Sequence, residues 1–150
     1  MCIRDRAWAA NVREQLATLG WADYHGWWLA CGTGTSLAGL VLAEAGERPV
    51  YGVLAVPQDH GVAQQIESIV AAGLCHPLYE LFDGSRGGFA RVDAELSAFI
   101  ETTDAIELEP VYTGKALMLL KAQVEAGRFV PGTRLIFVHT GGLQGRRGFE

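Results

Sequence analysis

The stretch Ala30–Leu40, ACGTGTSLAGL, sets Gly32, Gly34 and Gly39 among Thr33, Thr35 and Ser36, between two apolar runs. Bare main-chain amides and hydroxyls at the start of a helix form a place for an anion. The first N–H groups have no partner within the helix, and the helix dipole favours negative charge there. Two well-known versions of such a site are excluded by what is missing. A nucleoside triphosphate loop needs GxxxxGK[ST], and here Gly39 is followed by Leu40. A dinucleotide loop needs GxGxxG, and Gly32 and Gly34 are followed by Thr35, Ser36 and Leu37. A single phosphate monoester is the ligand that remains. The alternative is a strand–helix turn that uses glycine for geometry alone.

Two further stretches carry reactive groups: LEPVYTGKALMLL (Leu108–Leu120) and LIFVHTGGLQGRRGFE (Leu135–Glu150). A tyrosine such as Tyr112 moves a proton at neutral pH only if its surroundings lower its ordinary pKa of about 10. Lys115, beside Gly114 at a helix start, is expected to be structural, and His139 is expected to be satisfied by backbone. The four histidines (His25, His60, His76, His139) are far apart with no ligand spacing, so no metal site is expected.

These groups need elements to hold them. Trp8, Val12, Leu16 and Leu19 recur at helical intervals, so Arg6–Leu19 reads as a helix stopped by Gly20. Gly26–Cys31 reads as a short buried strand running into the glycine loop. Ser36–Gly46 reads as a helix capped by a hydroxyl at its start. Val50–Val56 is a β-rich apolar run closed by Pro57, and His60–Gly73 a helix. Asp83–Val92 holds too many glycines for a regular element and reads as a long loop. Asp93 begins a helix, Gly114–Gly127 is another, and Thr133–His139 is a last buried strand. The order points to α/β layering with a mostly parallel sheet flanked by helices. In such sheets ligands gather beyond the carboxyl ends of the strands, where the loops Gly32–Thr35 and Thr140–Gly148 would lie.

The bulk numbers set limits. One hundred and fifty residues, 49% hydrophobic and 19% charged, make one globular domain. A net charge of -5 without a basic face argues against nucleic acid, and no apolar run is long enough to span a bilayer. Cys2, Cys31 and Cys75 form no CxxC pair, which fits a reducing cytoplasm.

Taken together and in this order, CGTGTSLAGL, GGFARVDAELSAFI (Gly87–Ile100), PVYTGK and HTGG resemble the carboxyl-terminal half of a known family. It is the D-cysteine desulfhydrase and 1-aminocyclopropane-1-carboxylate deaminase family. These are fold-type-II pyridoxal 5′-phosphate enzymes similar to the tryptophan synthase β chain. The resemblance implies that Gly32, Thr33, Gly34, Thr35 and Ser36 cradle the cofactor's phosphate. It implies that Tyr112 and Thr113 face cofactor and substrate, and that Thr140 meets the pyridine nitrogen with Gly141 beside the ring. A hydroxyl cannot hold that nitrogen protonated as a carboxylate would, which suits elimination from the β carbon. The family carries a glycine where this chain has Thr35, and a β-branched residue resists a positive φ. The deaminases proper carry Glu where this chain has Thr113, which favours the desulfhydrase reading.

What the resemblance implies for the whole protein is a lyase or deaminase. A D-cysteine desulfhydrase-like enzyme would release pyruvate, ammonia and sulfide from a small amino acid. The alternatives are opening of 1-aminocyclopropane-1-carboxylate to 2-oxobutanoate and ammonia, or a non-catalytic module that binds a phosphorylated ligand. The family's Schiff-base lysine lies in its amino-terminal half, and neither Lys115 nor Lys121 stands at that position. The chain is therefore expected to be a fragment, inactive alone, whose partners are its own missing half and a second copy in a homodimer. Residues 1–6, MCIRDR, match nothing in the family and read as a non-native leader ahead of a partial cofactor-binding domain over 7–150.

Overall fold

The computed structural model describes residues 3–21, 23–73 and 76–142. Cys2, Cys75 and the 143–150 end, with Arg146 and Arg147, lie outside the described residues. Nine elements follow in order: α1 (Ile3–Thr18), β1 (Gly26–Cys31), α2 (Thr35–Glu44), β2 (Val50–Leu54), α3 (Val62–Ala71), β3 (Tyr79–Asp83), α4 (Ala94–Glu101), α5 (Thr113–Glu125) and β4 (Leu135–Val138). A 3-10 turn over Gln58–His60 precedes α3.

The four described strands form one sheet in the order β3-β2-β1-β4, and every neighbouring pair is parallel. Parallel pairing forces a crossover between consecutive strands, and the helices supply it. Period-2 alternation along β1 divides the two faces. Trp27, Leu29 and Cys31 join the larger core with Leu37, Leu40 and Ile66 from α2 and α3. Trp28 points the other way and packs with Val53 and Ala116 beneath α5. Both indoles are fully buried. At about 25 cal/mol per Å2 over roughly 150–250 Å2, each contributes several kcal/mol before entropy is counted. Each indole N–H also finds an acceptor: Trp28 Nε1 donates to the Ala116 carbonyl at 2.8 Å, and Trp27 Nε1 to Glu44 at 2.8 Å. The first of these bonds hangs the start of α5 directly over β1.

Glu44 is the buried acid of the larger core, and it is fully paired. Its Oε1 accepts from Arg13 at 2.8 Å and from the Tyr24 hydroxyl at 2.5 Å, in addition to Trp27. Burial alone would raise its pKa, but the bonds from Arg13, Tyr24 and Trp27 outweigh burial and hold the carboxyl below its ordinary value. This acid ties α1 and β1 to the end of α2.

Three sequence expectations need correction. The strand β3 lies almost wholly in the stretch between the expected helix His60–Gly73 and the expected loop Asp83–Val92, to which no element was assigned, and takes in Asp83 of that loop. It is an edge strand whose residues are half-buried or exposed, so its apolar signal is weak. The helix expected from Ser36 begins at Thr35, and no hydroxyl caps it. Gly34 is the N-cap, and the Thr33 and Thr35 hydroxyls lie 3.2 Å from each other instead. Finally, Thr35 carries no positive φ. The left-handed residue is Gly34, at φ +79, and Thr35 simply opens the helix. The strain expected at that threonine is absent because the glycine before it makes the turn.

Candidate functional site

The strand order places a switch point between β1 and β4. From β1 the chain moves outward through β2 to β3, then returns to pair β4 on the opposite side of β1. In parallel sheets of this kind the ligand crevice lies beyond the carboxyl ends of the two strands that diverge in this way. Leu29 pairs with Val138, so Gly32–Gly34 and His139–Gly142 leave neighbouring strands at one edge. Strands in register lie about 4.8 Å apart. At the opposite ends, the His25 N–H donates to the Arg134 carbonyl at 2.8 Å and His25 Nδ1 accepts from Arg134 N–H at 2.9 Å.

The first wall of the crevice is a hollow of about 60 Å3, lined by Ala30 to Leu37. Thr33 and Ser36 are exposed, and Thr35 is half-buried. No side chain caps α2, so the N–H groups of its first turn are left to an outside acceptor. The hollow has the room of one small oxyanion rather than a nucleotide. Gly34 leaves no space for anything larger: a Cβ there would stand 2.4 Å from Ile66 Cγ1.

Tyr112, the residue just before α5, stands over the first glycine turn. Its ring lies against Gly32, where an added Cβ would meet Tyr112 Cε1 at 3.2 Å and the phenol oxygen at 3.5 Å. Phe89, from the glycine-rich loop, packs edge-on against the same ring with centroids 5.8 Å apart. Burial, and then the charge of Glu109, push the Tyr112 phenol above its ordinary pKa. Tyr112 is therefore a protonated donor at neutral pH, not a base.

Thr113 behaves differently from its neighbour. It is fully buried, and its hydroxyl accepts the Glu109 N–H at 3.0 Å. Of the Tyr112–Thr113 pair, the tyrosine faces the glycine loop while the threonine is taken up in the turn before α5. Lys115 is also buried. Its Nζ donates to the carbonyls of Ser85 (3.1 Å), Gly88 (3.2 Å) and Phe89 (2.8 Å). Three donors meet three acceptors, so the amine is fully engaged as the strut of that loop. Burial, followed by the charge of Arg86, lowers its pKa.

The second wall is His139–Gly142. His139 Nε2 lies 2.7 Å from the Glu107 carbonyl, and Nδ1 accepts the Gly141 N–H at 3.3 Å. These partners place the ring proton on Nε2. Thr140 is exposed, with its hydroxyl free of any protein partner among the described residues. The histidine thus shapes the turn.

Sequence reasoning missed Glu109. The motif containing it stood out, but nothing marked the acid itself. The available signal was a carboxylate just ahead of a helix start, where it can accept the free N–H groups. A wider groove of about 680 Å3, lined by Leu120, Val124, Phe129, Val130 and Leu135, lies at the other end of β4 and contains no titratable side chain. Among the described residues, no three His, Cys, Asp or Glu gather as a metal site would need, and no helix is long and apolar enough to cross a membrane. Cys31 is buried, and that burial pushes its thiol up to about 12, which leaves it unreactive.

No family model matches the sequence. Three archaeal proteins, each named "Putative 1-aminocyclopropane-1-carboxylate deaminase", are similar to it. The Pyrococcus horikoshii protein is 32% identical over 131 residues, covering 78% of this chain and 39% of its own length. The Pyrococcus furiosus protein is 37% identical over 68 residues, 45% of this chain and 20% of its own length. The Pyrococcus abyssi protein is 29% identical over 129 residues, 77% of this chain and 38% of its own length. The chain thus spans about two fifths of the length of the first of these relatives. Among solved structures, one described as an ACC deaminase homologue superposes with a TM-score of 0.76 at 26% identity, over 88% of this chain and 44% of that one.

Proposed function

We propose, from the kinship of this chain with the D-cysteine desulfhydrase and 1-aminocyclopropane-1-carboxylate deaminase family, that it supplies the phosphate cradle and one ring-facing wall of an enzyme. That enzyme uses pyridoxal 5′-phosphate and acts on a small amino acid. One observation carries the reading. Two glycine turns leave neighbouring parallel strands at the switch point, and the Tyr112 ring lies against the first of them.

The donor set suits that cofactor. A phosphate monoester needs several N–H and O–H donors in a small hollow, and Gly32, Thr33, Gly34, Thr35 and Ser36 line one at an uncapped helix start. We assign the pyridine nitrogen to the Thr140 hydroxyl and the ring edge to Gly141. When bound, pyridoxal 5′-phosphate supplies an electron-accepting ring that stabilises the charge left at an amino acid's α carbon. This chain's part is to hold and to donate. Tyr112, kept protonated, presents an O–H on the crevice side, and Phe89 packs edge-on against its ring. Thr113 holds the turn that presents Tyr112. The lysine that bonds the cofactor, and the groups that grip the substrate carboxylate, belong in this proposal to a segment beyond these 150 residues, and the whole protein works as a homodimer in the cytoplasm.

Two substrates compete. Thr113 in the place of the deaminases' glutamate supports β-elimination from D-cysteine, giving pyruvate, ammonia and sulfide. The names of the three archaeal relatives support 1-aminocyclopropane-1-carboxylate, giving 2-oxobutanoate and ammonia. Assaying the whole protein for sulfide against 2-oxobutanoate separates them. Titrating this chain with pyridoxine 5′-phosphate, which has no aldehyde and cannot bond to a lysine, tests the cofactor reading. Saturable binding, competed by inorganic phosphate, is expected. No binding at millimolar ligand would end the proposal.

A further inference from the structure

Glu109 is fully buried, and no cation pairs with it among the described residues. Its three partners are main-chain N–H groups. Oε2 accepts from Val111 at 2.8 Å, while Oε1 accepts from Tyr112 at 2.7 Å and from Thr113 at 2.5 Å. These are the donors that the start of α5 would otherwise leave bare. The acid also reaches the opposite wall. At Gly142, in left-handed backbone at φ +92, an added Cβ would stand 3.0 Å from Glu109 Cγ and 3.4 Å from Cδ. One side chain therefore touches the segment that carries Tyr112 and the turn that carries Thr140 and Gly141. The Tyr112 ring in turn rests on Gly32, so the contact runs from the second wall through Glu109 to the first.

We propose that Glu109 is the positioning residue of the crevice, fixing the spacing between the Tyr112 wall and the Thr140–Gly142 wall. This rests on the cofactor reading above and extends it to a residue that touches neither cofactor nor substrate. A ligand that spans the crevice must depend on Glu109. One that occupies the hollow of the first wall alone must not.

That difference is the test. The 150-residue chain is compared as wild type, Glu109→Gln and Gly142→Ala, with inorganic phosphate as the short ligand and pyridoxine 5′-phosphate as the spanning one. Gln keeps the shape and one acceptor oxygen, but loses the charge and the Val111 bond. Ala at 142 pushes on Glu109 from the exposed turn, and it decides the matter alone if Glu109→Gln does not fold by circular dichroism. Dissociation constants for inorganic phosphate are expected to agree within twofold across all three. Those for pyridoxine 5′-phosphate are expected to rise at least tenfold in both variants. A second readout follows the phenol. The tyrosinate absorbance step that Tyr112→Phe removes should move to lower pH in Glu109→Gln, because the Glu109 charge that helps raise it is gone.

Unchanged affinity for both ligands, or an equal loss for both, overturns the positioning role while leaving the cofactor reading in place. A wild-type chain that does not bind pyridoxine 5′-phosphate overturns the cofactor reading, and the positioning role falls with it.

Discussion

Replacing Gly34 with alanine adds a single methyl group at the most constrained position of the crevice. Two costs follow, and they can be separated. The left-handed backbone at φ +79 penalises any Cβ, by about 1–2 kcal/mol. The methyl would also stand 2.4 Å from Ile66 Cγ1, 2.7 Å from Cδ1 and 3.1 Å from Val62 Cγ1. Ile66 is fully buried and cannot swing aside, so overpacking adds about 1–3 kcal/mol. The sum is about 2–5 kcal/mol, and each kcal/mol lowers the melting midpoint of a domain this size by about 2–4 °C. Urea unfolding of Gly34→Ala, Ile66→Ala and the double variant forms a double-mutant cycle. Ile66→Ala alone costs about 2–5 kcal/mol through its cavity, but it makes room for the new methyl. In that background Gly34→Ala should cost only the backbone part, so the cycle closes with a coupling of about 1–3 kcal/mol. Equal costs in the two backgrounds, within about 0.5 kcal/mol, would refute the steric account and with it the reason for glycine at this turn.

Three further outcomes are expected. Thr35→Ala should leave urea stability within about 0.5 kcal/mol, because the residue has ordinary helical backbone and makes no cap. Inorganic phosphate affinity should nevertheless fall severalfold in an equilibrium titration. Lys115→Met leaves the carbonyls of Ser85, Gly88 and Phe89 without their donor, at about 1–3 kcal/mol. Hydrogen exchange at the Gly87 and Gly88 amides should quicken by at least tenfold. Glu44→Ala strands Arg13, Tyr24 and Trp27 and should cost about 3–5 kcal/mol at pH 7. The folded carboxyl titrates below its unfolded value, so its stabilisation is complete above that unfolded value and is lost as pH falls through the folded one. Glu44→Gln should therefore flatten the acid limb of a plot of stability against pH.

The layering was legible because β1 is six nearly continuous buried residues, GWWLAC, opening on Gly26 and followed by Gly32. Periodicity likewise marked α3, where Val62, Ile66 and Val70 fall on one buried face. Asp93 showed itself as a cap, and its side chain accepts the Leu96 N–H at 2.9 Å. β3 stayed hidden because an edge strand shares its burial with water, so Tyr79, Leu81 and Phe82 stand beside Glu80 without a clear alternation. Within the crevice, the glycines and hydroxyls announced themselves by composition. Which hydroxyl stays free was not legible. Thr113 and Thr140 look alike as letters, and only packing shows one bonded inside a turn and the other exposed. Glu109 was invisible for a related reason: an acid before a helix is ordinary until its side chain is seen to touch a second loop.

The pairing of the first strand with the last joins residues far apart in sequence, as in Leu29 with Val138, 109 positions later. Closing so long a loop carries an entropic cost that local contacts do not. A molecule that spans those strand tips gains its second wall only once β4 has docked, whereas the hollow at Ala30–Leu37 is built from the end of β1 and the start of α2 alone. The same linkage runs in reverse, since a bound ligand stabilises the folded sheet by an amount that grows with the logarithm of its concentration over Kd. Damage to the seam should therefore appear first as lost ligand, while the helices on either side still look native.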